Sequence, residues 1–296
     1  MAGTIWDAIS RTEDRLKENG ISGARREALL MLSQILGTKP SQIIQIRAMP
    51  FGESNRKTLE GWVERRLKRE PLQYIIGETE FRGVGFMVGP AVLIPRPETE
   101  HLVEESVNAL KPGPEKPMVL DLCTGSGCVS VCIAMEVPRA LVLATDNSPD
   151  AIETTVKNAL VNDVIERVEC LEGDLFDAVK DLPLEGKFDL IVANPPYIKS
   201  ADIGELEPEV SDYEPRAALD GGEDGLEFIK RIIEGAPRYM KPGGTLIFEV
   251  GYDQAEEVEG LLEESEEFES VDIIKDYSGI ERVVKARKIG EEETAP

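Results

Sequence analysis

A single histidine, His101, is all this chain of 296 residues offers. Histidine-based nucleophilic triads and histidine metal centres therefore have little to draw on. His101 is followed by Leu102 and Val103 and reads as a boundary residue of a helix. Cysteine is sparse too, at four residues. Cys123, Cys128 and Cys132 lie close together and Cys170 lies apart, yet no pair has C-x-x-C spacing, so no metal or redox centre is indicated. Cys128 and Cys132 share one helix face and read as small buried hydrophobes. No apolar run approaches the roughly 18–20 residues of a membrane span. The opening Met-Ala-Gly-Thr-Ile-Trp-Asp has no signal-peptide pattern. The expectation is a cytoplasmic chain without membrane contact, and no internal repeat is visible.

Positive charge is in deficit, with 33 Lys and Arg against 57 Asp and Glu, a net of −24. The deficit is uneven. Residues 1–71 carry 13 basic and 9 acidic side chains, a net of +4, leaving 20 and 48, a net of −28, for the rest. Pro71 marks the break. The first part reads helical: Ile5, Trp6 and Ile9 on one face, a second helix from Ala24 to Leu36 ended by Gly37, and a third from about Asn55 to Glu70 behind a Ser54 cap. The third helix carries Arg65, Arg66, Lys68 and Arg69. These form either a solvated face or a docking surface for an acidic partner.

A dinucleotide fingerprint is also missing. Met118 to Leu122 is a short apolar strand, followed by Cys123-Thr124-Gly125-Ser126-Gly127 and an apolar helix start. After Gly125 and Gly127 the next residues are Cys128, Val129 and Ser130, so G-x-G-x-x-G fails. A pyrophosphate cradle, and with it a nucleotide-dependent dehydrogenase, is disfavoured. Glycines still allow close backbone approach beside a helix N-terminus. The strand Ala140–Thr145 ends on Asp146, suited to ribose hydroxyls. A strand near Val168–Leu171 leads to Asp174 and Leu175, suited to an adenine amino group and ring. On successive strand ends these favour an adenosyl ligand without phosphates.

What the chain does have, past the apolar strand Phe188–Ala193, is Asn194-Pro195-Pro196-Tyr197. Neither proline carries an N–H. The Pro195 carbonyl and the Asn194 side-chain oxygen are two neighbouring acceptors that suit a planar –NH2 group, and Tyr197 offers a flat wall. The plain alternative is an ordinary strand-to-turn exit.

With these motifs the chain resembles class I S-adenosylmethionine-dependent methyltransferases. Within them it is similar to the family that methylates the glutamine of peptide chain release factors (HemK/PrmC). Over nearly the whole chain the resemblance rests on Glu70-Pro71-Leu72-Gln73-Tyr74-Ile75-Ile76-Gly77, Phe81-Arg82-Gly83, Leu93-Ile94-Pro95-Arg96-Pro97-Glu98-Thr99-Glu100, the glycine turn, Asn194–Tyr197 and Phe248-Glu249-Val250-Gly251. It implies an α/β, Rossmann-like methyltransferase sheet with a C-terminal antiparallel hairpin, plus a small N-terminal helical domain joined by a β-hairpin. The implied divisions are a helical substrate-docking domain at 1–71, a hairpin linker at 72–96, a methyltransferase domain at 97–288 and a disordered tail at 289–296. The implied cofactor is S-adenosyl-L-methionine, held by Cys123, Thr124, Gly125, Ser126, Gly127, Asp146, Asp174, Leu175 and Asn194. The implied substrate is the glutamine of a Gly-Gly-Gln loop in a release factor, met by Asn194, Pro195, Pro196, Tyr197 and Arg96, with Asn194, Pro195 and Tyr197 catalytic. Cys123 departs from the family pattern, which has a glycine there. A ribosomal-protein glutamine methyltransferase and a nucleic-acid exocyclic-amine methyltransferase share the corner's chemistry. The −28 charge opposes binding to phosphates, so no nucleic-acid partner is expected. A non-catalytic binding protein is the remaining alternative, and the intact Gly125, Gly127, Asp146 and Asn194 oppose it.

Other segments complete the reading. Phe81 to Pro90 has hairpin glycine spacing. Arg96 faces the methionine carboxylate, faces substrate backbone, or pairs with Glu98. Ile198 to Glu223 is long enough for a substrate loop. A helix near Asp224–Met240, a turn at Lys241–Gly244, a strand at Thr245–Val250, a helix near Asp253–Glu264 and strands near Val271–Lys275 and Glu281–Arg287 follow.

Overall fold

The computed structural model describes residues 3–111 and 113–290. Of the expected tail, residues 291–296 lie outside the described residues. Backbone packing separates two units. One comprises the residues up to Gly77 together with Glu207–Tyr213, and the other Glu78–Leu206 with Glu214 onward.

The first unit is helical: α1 (Ile5–Glu18), α2 (Ala24–Leu36), α3 (Pro40–Ile46), α4 (Glu53–Leu67) and α5 (Leu72–Ile76). Thr4 opens α1 with a capping box, its hydroxyl accepting from the Asp7 amide while Asp7 accepts from the Thr4 amide. Ile5, Ile9, Leu32, Ile43 and Val63 form the core. Trp6 does not join Ile5 and Ile9. It is 43% exposed, with the Arg25 guanidinium 4.6 Å over its ring. The next residue along a helix is turned about 100° from its neighbour, which carries Trp6 off the buried stripe. Ser54 does not cap α4. The helical ladder already begins with Arg56 N–H on the Gly52 carbonyl, which makes Ser54 an interior residue. Helix α4 ends at Leu67 with Arg69 at φ +69°, short of the expected Glu70, and the basic run at its end is neither bare nor fully solvated. Arg65 pairs with Glu70 at 2.5 Å, and Arg69 pairs with Glu209 at 2.6 Å. Arg66 is buried between Glu27 and Glu209, both at 2.8 Å. Glu209 comes from α9 (Pro208–Ser211), within the segment of the long 198–223 stretch that packs as part of this unit. A buried arginine needs such carboxylates to offset its lost hydration.

The second unit opens on the hairpin β1 (Glu78–Phe81) and β2 (Val84–Met87). Its two-residue turn, Arg82-Gly83, has φ of +51° and +74°, the left-handed pair that matches strand twist. The remaining elements are α6 (Thr99–Leu110), β3 (Met118–Leu122), α7 (Cys128–Glu136), β4 (Leu141–Asp146), α8 (Pro149–Val161), β5 (Val168–Glu172), β6 (Phe188–Ala193), α10 (Glu227–Tyr239), β7 (Met240–Glu249), α11 (Ala255–Glu264), β8 (Phe268–Lys275) and β9 (Glu281–Lys288). They build a seven-stranded sheet in the order β5-β4-β3-β6-β7-β9-β8. Strands β3 to β7 run parallel, and β9 pairs antiparallel with both β7 and β8. Strand alternation divides the core. Val119, Val142, Leu190 and Val192 pack with α6, α7 and α8, whereas Leu120, Leu122, Ile191 and Leu246 pack with α10 and α11.

Strand β7 begins earlier than the sequence suggests. Met240 pairs with Phe188, the register shifts, and Thr245 pairs with Leu190, so Lys241–Gly244 is a bulge inside the strand. Gly244 lies against it so closely that a Cβ would stand 2.9 Å from the Lys241 carbonyl oxygen. The chain winds from β3 to β4 and β5 on one side and returns to β6 and β7 on the other. The switch lies between β3 and β6, where open α/β sheets place their ligand crevice at the strand carboxyl ends.

Candidate active site

The turn leaving β3 is held in left-handed backbone. Cys123, Gly125 and Gly127 have φ of +58°, +57° and +76°. The departure at Cys123 therefore costs strain, since a non-glycine residue there is disfavoured by roughly 1 kcal/mol. Its thiol is pushed well above the usual range, first by burial and then by the Asp146 charge. At Gly127 two constraints coincide: besides its φ, a Cβ would lie 2.7 Å from Thr155 Cγ2. Thr155 in turn donates its hydroxyl to the Gly125 carbonyl at 3.0 Å. Asn158, fully buried, donates to the Ser126 carbonyl at 2.8 Å and brackets Met87 of β2. Two residues of α8 thus shape the turn, and neither stood out in the sequence.

Carboxylates ring this turn. Asp146 accepts from Gly125 N–H at 2.9 Å on one oxygen and from Ser148 N–H at 3.0 Å on the other. Burial raises its pKa, and those backbone donors oppose the rise. Asp121 is pushed up to about 6 by burial, against the hydroxyls of Ser130 and Thr124, which donate at 2.5 and 2.8 Å. Asp174 accepts from Arg231 at 2.6 Å. Leu175 follows, buried and at φ +49°.

At the corner beyond β6, Asn194 donates its Nδ2 to Thr99 Oγ1 at 3.2 Å. Among the described residues no hydrogen bond is recorded to Asn194 Oδ1 or to the Pro195 carbonyl; Asn194 is half-buried and Pro195 is buried. The Tyr197 phenol donates to Glu249 Oε1 at 3.0 Å. Burial, then the Glu249 charge, raises the pKa of that phenol. Gln254 clamps the Tyr197 carbonyl at 3.0 Å and also donates to the Gly225 carbonyl. A Cβ on Gly225 would stand 2.5 Å from the Tyr197 carbonyl oxygen. Thr99 and Glu249, both 1% exposed, are functional candidates that the sequence reading passed over. The available signal was an acidic residue ending the apolar run Leu246-Ile247-Phe248.

One cavity, with about 1000 Å³ of empty space opening to solvent, brings most of the expected residues together. Arg96, Cys123, Thr124, Gly125, Ser126, Asp146, Asp174, Leu175, Asn194 and Pro196 line it, while Gly127, Pro195 and Tyr197 stand behind its wall. Asp121 and Thr99 line it too. Arg96 is the one cationic lining residue, and it donates to both oxygens of Glu214, at 2.7 and 2.8 Å, rather than pairing with Glu98. Burial raises the Glu214 pKa, and Arg96 opposes the rise. Three aspartates and one neutralised arginine do not suit a phosphate. They suit a ligand with hydroxyls, an amino group and positive charge. The turn, the successive acidic strand ends and the adjoining acceptor corner all fit an adenosyl sulfonium.

A mostly parallel seven-stranded sheet with this turn at its switch point and the Asn-Pro-Pro-Tyr corner beside it has the form of a Rossmann-like methyltransferase. The hMettl16 catalytic domain shares the fold at TM-score 0.55 and 14% identity, covering 83% of this chain and 85% of that one. Family models match the "Methyltransferase small domain" at residues 99–206 and the "PrmC N-terminal domain" at residues 7–77. A release factor glutamine methyltransferase from Geobacter sulfurreducens is 44% identical, over 96% of both chains. One from Thermodesulfovibrio yellowstonii is 43% identical, over 93% of this chain and 97% of its own. The chain belongs to the release factor glutamine methyltransferase family. No helix among the described residues is long and apolar enough to cross a membrane.

Proposed function

We propose that this protein transfers a methyl group from S-adenosyl-L-methionine to the side-chain amide nitrogen of the glutamine in the Gly-Gly-Gln motif of peptide chain release factors, in the cytoplasm. The observation that carries the reading is Asn194 Oδ1, which accepts no hydrogen bond among the described residues and lines a cavity suited to an adenosyl sulfonium, with the N–H-free Pro195 next in the chain.

The cofactor, when bound, supplies an activated electrophilic methyl on its sulfonium. The Cys123–Gly127 turn would hold its amino-acid end, Asp146 its ribose, and Asp174 with Leu175 its adenine. An amide nitrogen is a poor nucleophile because its lone pair is delocalised into the carbonyl. Accepting both of its N–H bonds at Asn194 Oδ1 and the Pro195 carbonyl aims that nitrogen and stabilises the positive charge it gains. Tyr197 and Pro196 keep the corner rigid. The amide nitrogen would take the methyl group, the neutral thioether being the leaving group, and would then lose one proton to solvent. No strong base is needed beforehand, and Asn194 and Pro195 act by position and partial charge.

Methyl transfer from labelled S-adenosylmethionine into a purified release factor tests this. Label is expected in the wild-type factor and absent from its Gln→Ala variant. Label in nucleic acid or in a ribosomal-protein extract, but not in the factor, would overturn the assigned substrate.

A further inference from the structure

The Asn194 amide has two nearly isosteric ends, and only one orientation serves the proposed reaction. With Oδ1 toward the cavity the corner accepts an –NH2 group. With Nδ2 there it offers a donor to a donor. Thr99 alone does not decide between them, because a hydroxyl both gives and takes a hydrogen bond. Its single proton needs a fixed destination.

Glu249 supplies one. It ends β7, is 1% exposed, and sits beside the corner because Phe248 pairs with Ala193. Its Oε1 accepts the Tyr197 phenol at 3.0 Å, and its Oε2 makes no hydrogen bond of good geometry among the described residues, with the Thr99 hydroxyl as the neighbouring donor. An unsatisfied buried carboxylate oxygen is costly and normally has a reason. We propose that Thr99 and Glu249 are positioning residues that fix the polarity of the Asn194 amide, the ionised Glu249 drawing the Thr99 proton so that Thr99 Oγ1 can only accept from Asn194 Nδ2. This rests on the proposed methyl transfer.

The charge environment of Glu249 sets the pH behaviour. It meets the Tyr197 phenol from beyond β6, Arg282 from β9 and Glu98 ahead of α6. Burial raises its pKa, opposed by the Thr99 and Tyr197 hydroxyls and by the charge of Arg282. Once protonated, the carboxyl can donate to Thr99 Oγ1. The Thr99 proton then turns toward Asn194, and the amide flips.

The test is single-turnover methylation of a purified release factor across pH. In the wild type the rate falls on acidification with an apparent pKa above the ordinary carboxylate range. Glu249→Gln removes that acid limb, with substrate affinity nearly unchanged. Thr99→Val lowers the rate by about tenfold, the scale of one lost orienting hydrogen bond. Thr99→Ser, which keeps the hydroxyl, recovers most of it. An acid limb that persists in Glu249→Gln, or a Thr99→Val rate equal to wild type, overturns the proposal. A wild type that does not methylate the factor instead rejects the substrate assignment. The polarity is then read from the Asn194 side-chain amide resonances, which are expected to shift in Thr99→Val and in Glu249→Gln. Unchanged resonances in both variants overturn it.

Discussion

The two halves of the cavity are built in opposite ways. On the β3–β5 side the backbone does the shaping. Left-handed residues fold the turn, and its polar groups are largely engaged, Gly125 N–H with Asp146 and the Gly125 carbonyl with Thr155. On the β6–β7 side, side chains do the shaping, and the proposed acceptors carry no hydrogen bond among the described residues. Asn194 Oδ1 and the Pro195 carbonyl accept no hydrogen bond among the described residues, while Thr99 holds the Asn194 amide and Glu249 and Gln254 hold Tyr197. The first half is a preformed cradle. The second is an acceptor set that a donor must complete. Binding and chemistry should therefore separate under mutation.

The largest separation is expected in Asn194→Ala. Its single-turnover rate should fall by about 10²–10³, the scale of one lost preorganised electrostatic contact. Calorimetry should find S-adenosylmethionine affinity changed far less. A proportional loss of both would merge the two halves. Gly127→Ala should do the converse. The added Cβ meets Thr155 at 2.7 Å in backbone that already disfavours it, so roughly 2 kcal/mol or more of stability should go. Cofactor affinity should fall with it, as denaturant titration and calorimetry would reveal.

Asp121 gives a pH signature confined to the cradle. Its folded pKa is raised to about 6 from 3.8. Between those values the native state holds more proton than the unfolded chain, so this group lowers stability as pH rises through the window. Asp121→Asn keeps an acceptor for Ser130 and Thr124 without the charge. The variant should gain stability over wild type between about pH 4 and 7, on the order of 2–3 kcal/mol. Urea melts of both proteins at the two pH values test this, and a constant difference would refute it. The smallest effect belongs to Cys123→Gly. Relief of left-handed strain is offset by the unfolded-state freedom of glycine, leaving a net change under about 1 kcal/mol. A loss above about 2 kcal/mol in chemical denaturation would mean that the packed thiol side chain stabilises the turn.

Local signals explain what was legible. The β3, β4 and β6 runs are short and apolar and each leads into polar or glycine residues, so the strand-end positions of the glycine turn, Asp146 and the Asn194–Tyr197 corner could be read from the sequence. The bracing could not. Thr99 opens α6 and Glu249 ends β7, 150 positions apart, and only the fold brings them to one corner, Thr99 through Asn194 and Glu249 through Tyr197. Arg66 looks like a surface cation on its own helix, and only the fold brings Glu27 and Glu209 to it. The segment 207–213 reads as loop, and its packing with the helical unit is set by Glu207 and Glu209 finding Arg66 and Arg69. Lys241–Gly244 carries every mark of a turn, but pairing with β6 makes it a bulge.

The most direct test of the central claim is mass spectrometry of a release factor after incubation with this protein and S-adenosylmethionine. The prediction is one added methyl group, localised by fragmentation to the side-chain nitrogen of the Gly-Gly-Gln glutamine. A methyl on any other residue of the factor, or on none, would contradict the account.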